Sequence, residues 1–150
     1  MAAHPPLGLY IYIPWCPTRC IYCDFTTYID AGDSLMRRYH AALLREIETA
    51  AEALQHPRLA TLYFGGGTPT TLAPARLIEL VEAVRSNFEL PSTAEITSEA
   101  NPGTLSVEYL RALRQGGINR LSLGVQSFSD EELSFLSRLH NADTARRAVD

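Results

Sequence analysis

Residues 16–23 have the sequence CPTRCIYC, and they contain all three cysteines of this 150-residue chain, Cys16, Cys20 and Cys23. An odd number of cysteines at such short spacing makes a poor disulfide framework and a good metal site. Three thiolates can bind three irons of a cubane cluster, which normally takes four cysteines, and an open metal position is where chemistry takes place. The stretch therefore predicts an iron–sulfur cluster in which one iron lacks a protein ligand.

A structural zinc module is the alternative for the three cysteines. His4, His40 or another group would complete its ligand set. Zinc ligands usually come in pairs that a longer stretch of chain separates, and these cysteines do not follow that spacing. The spacing therefore favours a cluster over zinc.

The composition is that of an ordinary globular domain, with 46% hydrophobic and 20% charged residues, and the length suffices for one modest core. A net charge of −4 gives no sign of a nucleic-acid footprint. The region before Arg19 has no Lys or Arg, and its apolar run ends at Pro14, so it does not predict a secretory signal. No stretch approaches the roughly 18 apolar residues of a membrane span. We expect a cytoplasmic protein with reduced thiols.

Short apolar stretches that predict strands alternate with amphipathic stretches that predict helices. The predicted strands are residues 9–13, 59–64, 94–97 and 118–125. The first predicted helix is capped by Asp33 or Ser34. Its apolar stripe consists of Leu35, Tyr39, Leu43, Ile47, Ala50 and Leu54.

The later helices follow the same pattern. The second has an apolar face made of Leu77, Leu80, Val81, Val84 and Phe88. The third carries Val107, Leu110 and Leu113 and is closed by Gly116-Gly117. Further helices are predicted from Asp130 and from Ala142 to the last residue, where no cap is present. Four strand-then-helix units predict an α/β fold with a parallel sheet, either a barrel or an open sheet, that ends mid-domain.

Unusual residues follow each predicted strand. The cysteines follow the first, Gly65-Gly66-Gly67-Thr68 the second, Glu99 the third and Gln126 the fourth. The carboxyl ends of parallel strands lie on one face, and that face carries the active site in such folds. We therefore expect these residues to lie close together at the carboxyl ends of the strands.

Each of these residues has a ligand-binding interpretation at such a site and a purely structural alternative. The glycines let backbone groups approach a ligand closely, or they form a tight turn. Glu99 can accept hydrogen bonds from ribose hydroxyls or an ammonium group, or it is an acid on a solvated loop. The amide of Gln126 can donate and accept, or it satisfies loop backbone. Arg138 can make a forked contact with a carboxylate, or it is an exposed arginine.

The stretch CPTRCIYC resembles the CxxxCxxC signature of the radical-SAM superfamily. The resemblance implies a [4Fe–4S] cluster on Cys16, Cys20 and Cys23, with the amino and carboxylate groups of S-adenosylmethionine on the fourth iron. A reduced cluster would pass one electron to the sulfonium and release methionine and a 5′-deoxyadenosyl radical. The resemblance also implies a partial TIM-type (β/α)6 barrel. Residues 1–150 would be its N-terminal portion, with the remaining barrel and a C-terminal domain beyond them.

Further motifs occur in the order expected of one family. They are LYIYIPWC, CIYCDF, GGGTPT, SEANPG, NRLSLGVQSF and LSRLH. They resemble the oxygen-independent coproporphyrinogen III oxidase family. The resemblance implies that S-adenosylmethionine is contacted by Tyr10, Tyr22, Gly66, Gly67, Thr68, Glu99, Gln126 and Arg138.

Within that family the chain is similar to the haem-chaperone branch, HemW. The dehydrogenases of the family carry another Cys two residues after the third cluster ligand, where this chain has Phe25, and a longer N-terminal arm. The chaperone branch implies haem or porphyrin as cargo, haem-acceptor proteins as partners, and a homodimer as an open question. The alternative is an enzyme of porphyrin biosynthesis, a coproporphyrinogen III dehydrogenase that acts by radical decarboxylation.

Two positions depart from the family pattern without removing a cluster ligand. Tyr12 stands where relatives often have His, and Ser137 where they often have Gly. His140 is a candidate haem ligand by residue type, but a lone His on a loop is more often a hydrogen-bonding surface residue, and we assign it no role.

Overall fold

The computed structural model describes residues 7–29 and 31–149. The strands are β1 (Leu7–Ile13), β2 (Trp15–Cys16), β3 (Tyr28–Ile29), β4 (Leu59–Gly66), β5 (Glu95–Ala100) and β6 (Arg120–Leu123). The helices are α1 (Asp33–Ala53), α2 (Pro74–Asn87), α3 (Val107–Gln115), α4 (Asp130–Phe135) and α5 (Ala142–Arg147). Two 3₁₀ turns lie at Pro69–Thr71 and Pro102–Thr104, directly after β4 and β5.

The main sheet has the strand order β1-β4-β5-β6, and all of its strands are parallel. Each neighbouring pair is joined through a helix, because parallel strands need a crossover connection. The prediction of four βα units around a parallel sheet is therefore confirmed. β2 and β3 form a separate short parallel pair that brackets the cysteine loop. None of the helices in the described ranges has both the length and the apolar character of a membrane span.

The core lies between one face of this sheet and the helices. Successive side chains of a strand point to opposite faces, so Ile11 and Ile13 of β1 are buried while Tyr10 is half exposed. Leu62 and Phe64 of β4 belong to the same buried cluster. The opposite face of the sheet keeps the polar and aromatic residues, and its carboxyl edge is where the site forms.

The apolar face predicted for α2 is correct, since Leu77, Leu80, Val81, Val84 and Phe88 are all buried. The prediction for α1 is partly wrong. Leu43 and Ile47 of the predicted stripe are buried, whereas Leu35 in the first turn and Leu54 just after the helix are exposed. His40 and Ala51, which the stripe did not include, are also buried.

The predicted cap of α1 is also wrong. The residue before the helix is Gly32, and no side chain accepts a capping hydrogen bond. Asp33 is the first helical residue and makes ion pairs with Arg37 and Arg76. The hydrogen bond from Arg76, and the charge of Arg37 beside it, hold the pKa of the Asp33 carboxyl below its usual range. The carboxylate therefore faces the positive end of the helix and the α2 arginine without capping the backbone.

The bounds of several elements differ from prediction. β6 covers only residues 120–123, because the amide of Ile118 donates to Leu113 at the end of α3 and the amide of Val125 folds back onto Leu123. β5 continues to Ala100, so Glu99 lies within the strand. α5 ends at Arg147.

We expect Leu80→Ala to lower the free energy of unfolding by about 2–5 kcal/mol, because the change leaves a cavity in a fully buried position. Leu35→Ala is the matched control, since the same atoms are removed from a side chain that is 47% exposed. We expect that variant to change stability by less than about 0.5 kcal/mol. Urea titration followed by circular dichroism measures both, and equal losses would contradict the placement of the core.

Candidate functional site

The three cysteines lie on one wall of a cavity of about 430 Å³ at the carboxyl edge of the sheet. Cys16 ends β2, and Cys20 and Cys23 follow in the loop to β3. All three are free thiols of intermediate exposure, and the amide of Cys23 donates to the carbonyl of Cys20 over 3.1 Å. This turn points the thiols into the cavity together.

Most of the residues that the sequence singled out line the same cavity as the cysteines. The predicted cofactor contacts that line the cavity are Tyr22, Gly66, Gly67, Thr68, Glu99, Gln126 and Arg138. Tyr10 is not among the lining residues. It pairs in register with Tyr63, one strand over, and its ring stacks on that ring with centroids 5.6 Å apart and an interplanar angle of 12°. Tyr10 therefore lies on the sheet face below the cavity.

The glycine run allows the end of β4 to approach the cysteine segment. The amide of Gly67 donates to Ile13 over 2.8 Å, and that of Thr68 to Trp15 over 2.7 Å. A Cβ on Gly67 would be 2.5 Å from the Trp15 carbonyl oxygen and 3.0 Å from the Cys16 thiol. Gly66 has φ of +110°, a conformation that glycine adopts at low cost. No side chain fits between this backbone and Cys16.

The carboxylate of Glu99 is held by two donors. The hydroxyl of Tyr63 donates to Oε1 over 2.9 Å, and the backbone amide of Gly66 donates to Oε2 over 3.2 Å. Burial, and then the hydrogen bond to Glu99, raise the pKa of Tyr63. The tyrosine therefore stays protonated and can donate. Its contribution was missed at the sequence level, although strand alternation places it on the same face as Gly65.

Arg138 reaches back to the cysteine loop. Its Nη1 donates to the Sγ of Cys20 over 3.3 Å and lies 3.5 Å from the hydroxyl of Tyr22. Its Nη2 donates to the carbonyl of Gly124 over 2.6 Å and to the side-chain oxygen of Asn101. The Nε of Arg138 is buried and has no hydrogen-bond partner among the described residues. One donor of the guanidinium thus remains for a ligand in the cavity.

Asn101 also was missed at the sequence level. Its Nδ2 donates to the hydroxyl of Thr68 over 3.0 Å, and that hydroxyl lies 3.6 Å from the Sγ of Cys16. It comes two residues after Glu99 in the SEANPG stretch, so the motif contained it without indicating its contact.

The protein environment disfavours charge on the free Cys16 thiol. Burial raises its pKa, and the neighbouring thiols add to the rise, while the hydrogen bond from Thr68 and the charge of Arg138 oppose it. A bound metal supplies the positive charge that deprotonates a coordinating thiol. The site therefore favours a thiolate when a metal is present.

His140 is buried, which corrects the expectation of a surface residue, although it does form a hydrogen bond. Its Nε2 donates to the carbonyl of Val125 over 3.1 Å. Burial lowers the pKa of His140, so the ring is neutral at physiological pH. Gln126, which follows Val125 in the chain, has φ of +67°, a strained value for a residue other than glycine. The histidine helps to hold this turn at the rim.

The donor set fits an iron–sulfur cluster. In a cubane each cysteine binds a different iron, so the three thiols need not meet at one point. Within residues 7–29 and 31–149, no three His, Cys, Asp or Glu side chains are arranged to hold a single metal ion. His40, a zinc ligand in the alternative, contacts Glu79 through Nε2 over 2.8 Å, and His4 lies outside the described residues. Gly66 and Gly67 form a glycine rim on the cavity. This rim and the unpaired Nε of Arg138 suit an organic anion beside the cluster.

Comparisons with known proteins agree with this arrangement. The sequence model of the Radical SAM superfamily matches residues 10–150. The heme chaperone HemW of Escherichia coli K12 is 40% identical over 149 residues, which are 99% of this chain and 39% of that protein. HemW of Mycobacterium tuberculosis is 42% identical over 146 residues, 96% of this chain and 37% of that protein. The chain thus spans about two fifths of the length of these relatives.

A solved structure is similar over almost the whole chain. It is coproporphyrinogen III oxidase (HemN) from Escherichia coli, a radical SAM enzyme, with a TM-score of 0.87 and 33% identity. The match covers 96% of this chain and 33% of that one.

We expect Gly67→Ala to lower the free energy of unfolding by about 1–3 kcal/mol, because the added methyl group meets a backbone oxygen that cannot move freely. Gly103→Ala is the matched control, because Gly103 lines the same cavity but a Cβ there comes no closer than 3.8 Å to the His140 Cβ. Thermal and urea unfolding of both variants measure the difference. Equal stability of the two variants would contradict the close approach of β4 to the cysteine segment.

Proposed function

The chain belongs to the radical SAM superfamily, and from that premise we propose that it forms the cofactor-binding part of a haem chaperone of the HemW type. It would hold a [4Fe–4S] cluster and S-adenosylmethionine, and the whole protein would bind haem and transfer it to acceptor proteins. The parallel α/β fold, which is that of the N-terminal part of a radical SAM barrel, supports this proposal.

One observation carries the proposal: three thiols, a glycine rim and an arginine surround a single cavity. Cys16, Cys20 and Cys23 would bind three irons, and the fourth would remain for S-adenosylmethionine. When bound, such a cluster supplies single electrons to S-adenosylmethionine, while the protein orients and shields both groups.

The other residues that line the cavity have groups that complement S-adenosylmethionine. The backbone of Gly66 and Gly67, together with Thr68, would receive the methionine end, because no Cβ blocks the approach. The Glu99 carboxylate, already held by two donors, keeps lone pairs for ribose hydroxyls or an ammonium group. The free Nε of Arg138 suits the methionine carboxylate, and the amide of Gln126 can complete the rim.

Tyr22 would touch the cofactor from the cysteine side. It lines the cavity next to Cys23, and burial raises its pKa, so its hydroxyl is protonated. Tyr10 would contribute indirectly, since its ring supports Tyr63, the donor to Glu99. This differs from the direct contact that the family resemblance implies.

Two observations favour the chaperone over the dehydrogenase. The HemW relatives are 40–42% identical to this chain over nearly its whole length. Phe25 occupies the position two residues after the third cysteine, and its exposed ring lines the cavity. An apolar side chain there offers a surface to a flat apolar cargo such as haem.

A coproporphyrinogen III dehydrogenase is the second candidate, and the TM-score of 0.87 to HemN favours it. Both candidates would use the same cofactor cavity, so its geometry does not distinguish them. The zinc module is the least supported candidate, because the described residues do not bring three ligands to one metal ion.

We further propose that the rest of the barrel and a C-terminal domain follow residue 150, since the chain matches 39% of its relative's length. Haem-binding residues, acceptor proteins, a homodimer and a cytoplasmic location are proposals for the whole protein.

The test uses the full-length protein, reconstituted anaerobically with iron and sulfide and reduced with dithionite. We expect brown protein with a charge-transfer absorbance, and we expect stoichiometric haem binding. Incubation with S-adenosylmethionine and coproporphyrinogen III is expected to give no decarboxylated product. Product formation would establish the dehydrogenase instead. A colourless protein that binds zinc alone would exclude both.

Cys20→Ser is the control for this experiment, because it removes one cluster ligand and keeps a polar group of similar size. We expect it to lose most of the absorbance. Full absorbance in this variant would contradict the ligand assignment.

We expect Tyr63→Phe to weaken S-adenosylmethionine binding about tenfold, since a hydrogen bond to a charged group contributes about 1.5 kcal/mol or more. Calorimetric titration of the cluster-loaded protein measures the affinity. Tyr109→Phe is the matched control, because its hydroxyl donates to the Leu72 carbonyl, away from Glu99. An unchanged affinity in Tyr63→Phe would show that Gly66 alone suffices to hold the carboxylate.

A further inference from the structure

A chain of hydrogen bonds runs from Arg138 to Cys16 through two residues to which no cluster role has been given. The Nη2 of Arg138 contacts the Oδ1 of Asn101. The Nδ2 of Asn101 lies 3.0 Å from the Oγ1 of Thr68, which lies 3.6 Å from the Sγ of Cys16. Three separate segments of the chain therefore meet at one thiol.

The direction of this chain of hydrogen bonds is determined by chemistry. Arginine has only donors, so the atom of Asn101 that faces Arg138 must be the amide oxygen. The amide nitrogen then faces Thr68 and donates to its hydroxyl oxygen. That hydroxyl has a single proton, which it donates to the sulfur of Cys16 once that sulfur is a metal-bound thiolate without a proton of its own. All three hydrogen bonds thus point toward the thiol, an arrangement in which each polarises the next.

The participating groups are held in place from the backbone. Thr68 is 3% exposed, and its amide is bonded to Trp15. The carbonyl of Asn101 accepts from the amide and the hydroxyl of Thr104 over 2.9 and 2.8 Å. Because these anchors do not involve the cysteines, Asn101 and Thr68 are positioned before any ligand binds.

The same guanidinium also reaches a second cysteine directly. The Nη1 of Arg138 donates to the Sγ of Cys20 over 3.3 Å. Arg138 therefore acts on two of the three thiols. It reaches Cys16 through Asn101 and Thr68, and it donates directly to Cys20.

We propose that Asn101 is a positioning residue which, through Thr68 and Arg138, raises the reduction potential of the cluster on Cys16, Cys20 and Cys23. Hydrogen bonds to cluster sulfurs and nearby positive charge tune such potentials. They stabilise the reduced cluster more than the oxidised one, because the reduced form carries one more negative charge. The step concerned is the uptake of one electron from a low-potential donor, and no bond to carbon forms or breaks.

This inference rests on the proposed function, since it requires a cluster on the three cysteines. Its test is a redox titration of the reconstituted full-length protein with dithionite, followed by electron paramagnetic resonance. Leaving out S-adenosylmethionine separates an effect on the cluster from an effect on cofactor binding. The reduction potential of the cluster does not depend on the fraction of the protein that carries a cluster. Incomplete loading of a variant therefore does not change the measured potential.

We expect Thr68→Val and Asn101→Leu to shift the potential to more negative values. A tenfold change in the ratio of oxidised to reduced cluster corresponds to about 59 mV for one electron, and we expect a shift of about that size. Thr68→Ser keeps the hydroxyl and is expected to keep the wild-type potential.

Thr97→Val is the matched control. Thr97 lies in β5, is 0% exposed, and uses its hydroxyl to contact the carboxylate of Glu95 over 3.0 Å, away from Asn101 and the cysteines. The same substitution there should leave the potential unchanged. A shift as large as that of Thr68→Val would overturn the proposal, because it would trace the effect to packing.

The two proposals fail in distinguishable ways. If the wild-type protein forms no paramagnetic cluster on reduction, the proposed function fails and this inference fails with it. If the wild type forms the cluster and Thr68→Val and Asn101→Leu keep its potential, only the inference fails.

Discussion

The close approach of β4 to the cysteine segment is the constraint on which the rest of the site depends. Two backbone hydrogen bonds, from Gly67 to Ile13 and from Thr68 to Trp15, join the end of the strand to the segment that leads into Cys16. They form only because position 67 has no Cβ. Their result is that a strand end, a thiol and a buried hydroxyl occupy one small volume.

The parallel sheet extends this arrangement across the cavity. Parallel strands end at the same edge, so residues from β4, β5 and the segment after β6 face the cysteine loop. The side chain of Glu99 is held at that edge by two donors, the hydroxyl of Tyr63 and the backbone amide of Gly66. Arg138 also lines the cavity, and it donates both to the thiol of Cys20 and to the carbonyl of Gly124, directly after β6.

This organisation brings the glycines at the end of β4, the three thiols and Arg138 to one cavity, so the residues that the proposed cluster and S-adenosylmethionine would need lie together. Phe25, two residues past the third cysteine, also lines this cavity, and its ring is exposed.

The sequence alone determined the architecture and most of the cavity. Alternating strand and helix patterns identified the parallel sheet, since each pattern is local and periodic. The cysteine spacing and the glycine run likewise depend on residues adjacent in the chain. Predictions from local patterns were wrong at the ends of elements. Asp33 does not cap α1, and Glu99 lies inside β5. The ends of elements depend on tertiary hydrogen bonds, which local patterns do not contain.

The tertiary structure alone decided the polar contacts within the cavity. Tyr63 and Glu99 are 36 positions apart, and Arg138 and Cys20 are 118 apart, so no local pattern couples them. Tyr10 belongs to a motif but stacks on Tyr63 below the cavity, because its register partner in β4 lies before the strand end. Asn101 became a contact between Arg138 and Thr68 only when the crossovers brought their segments together. Sequence periodicity reports which face of an element is buried, whereas a hydrogen bond between distant side chains requires the register that folding sets.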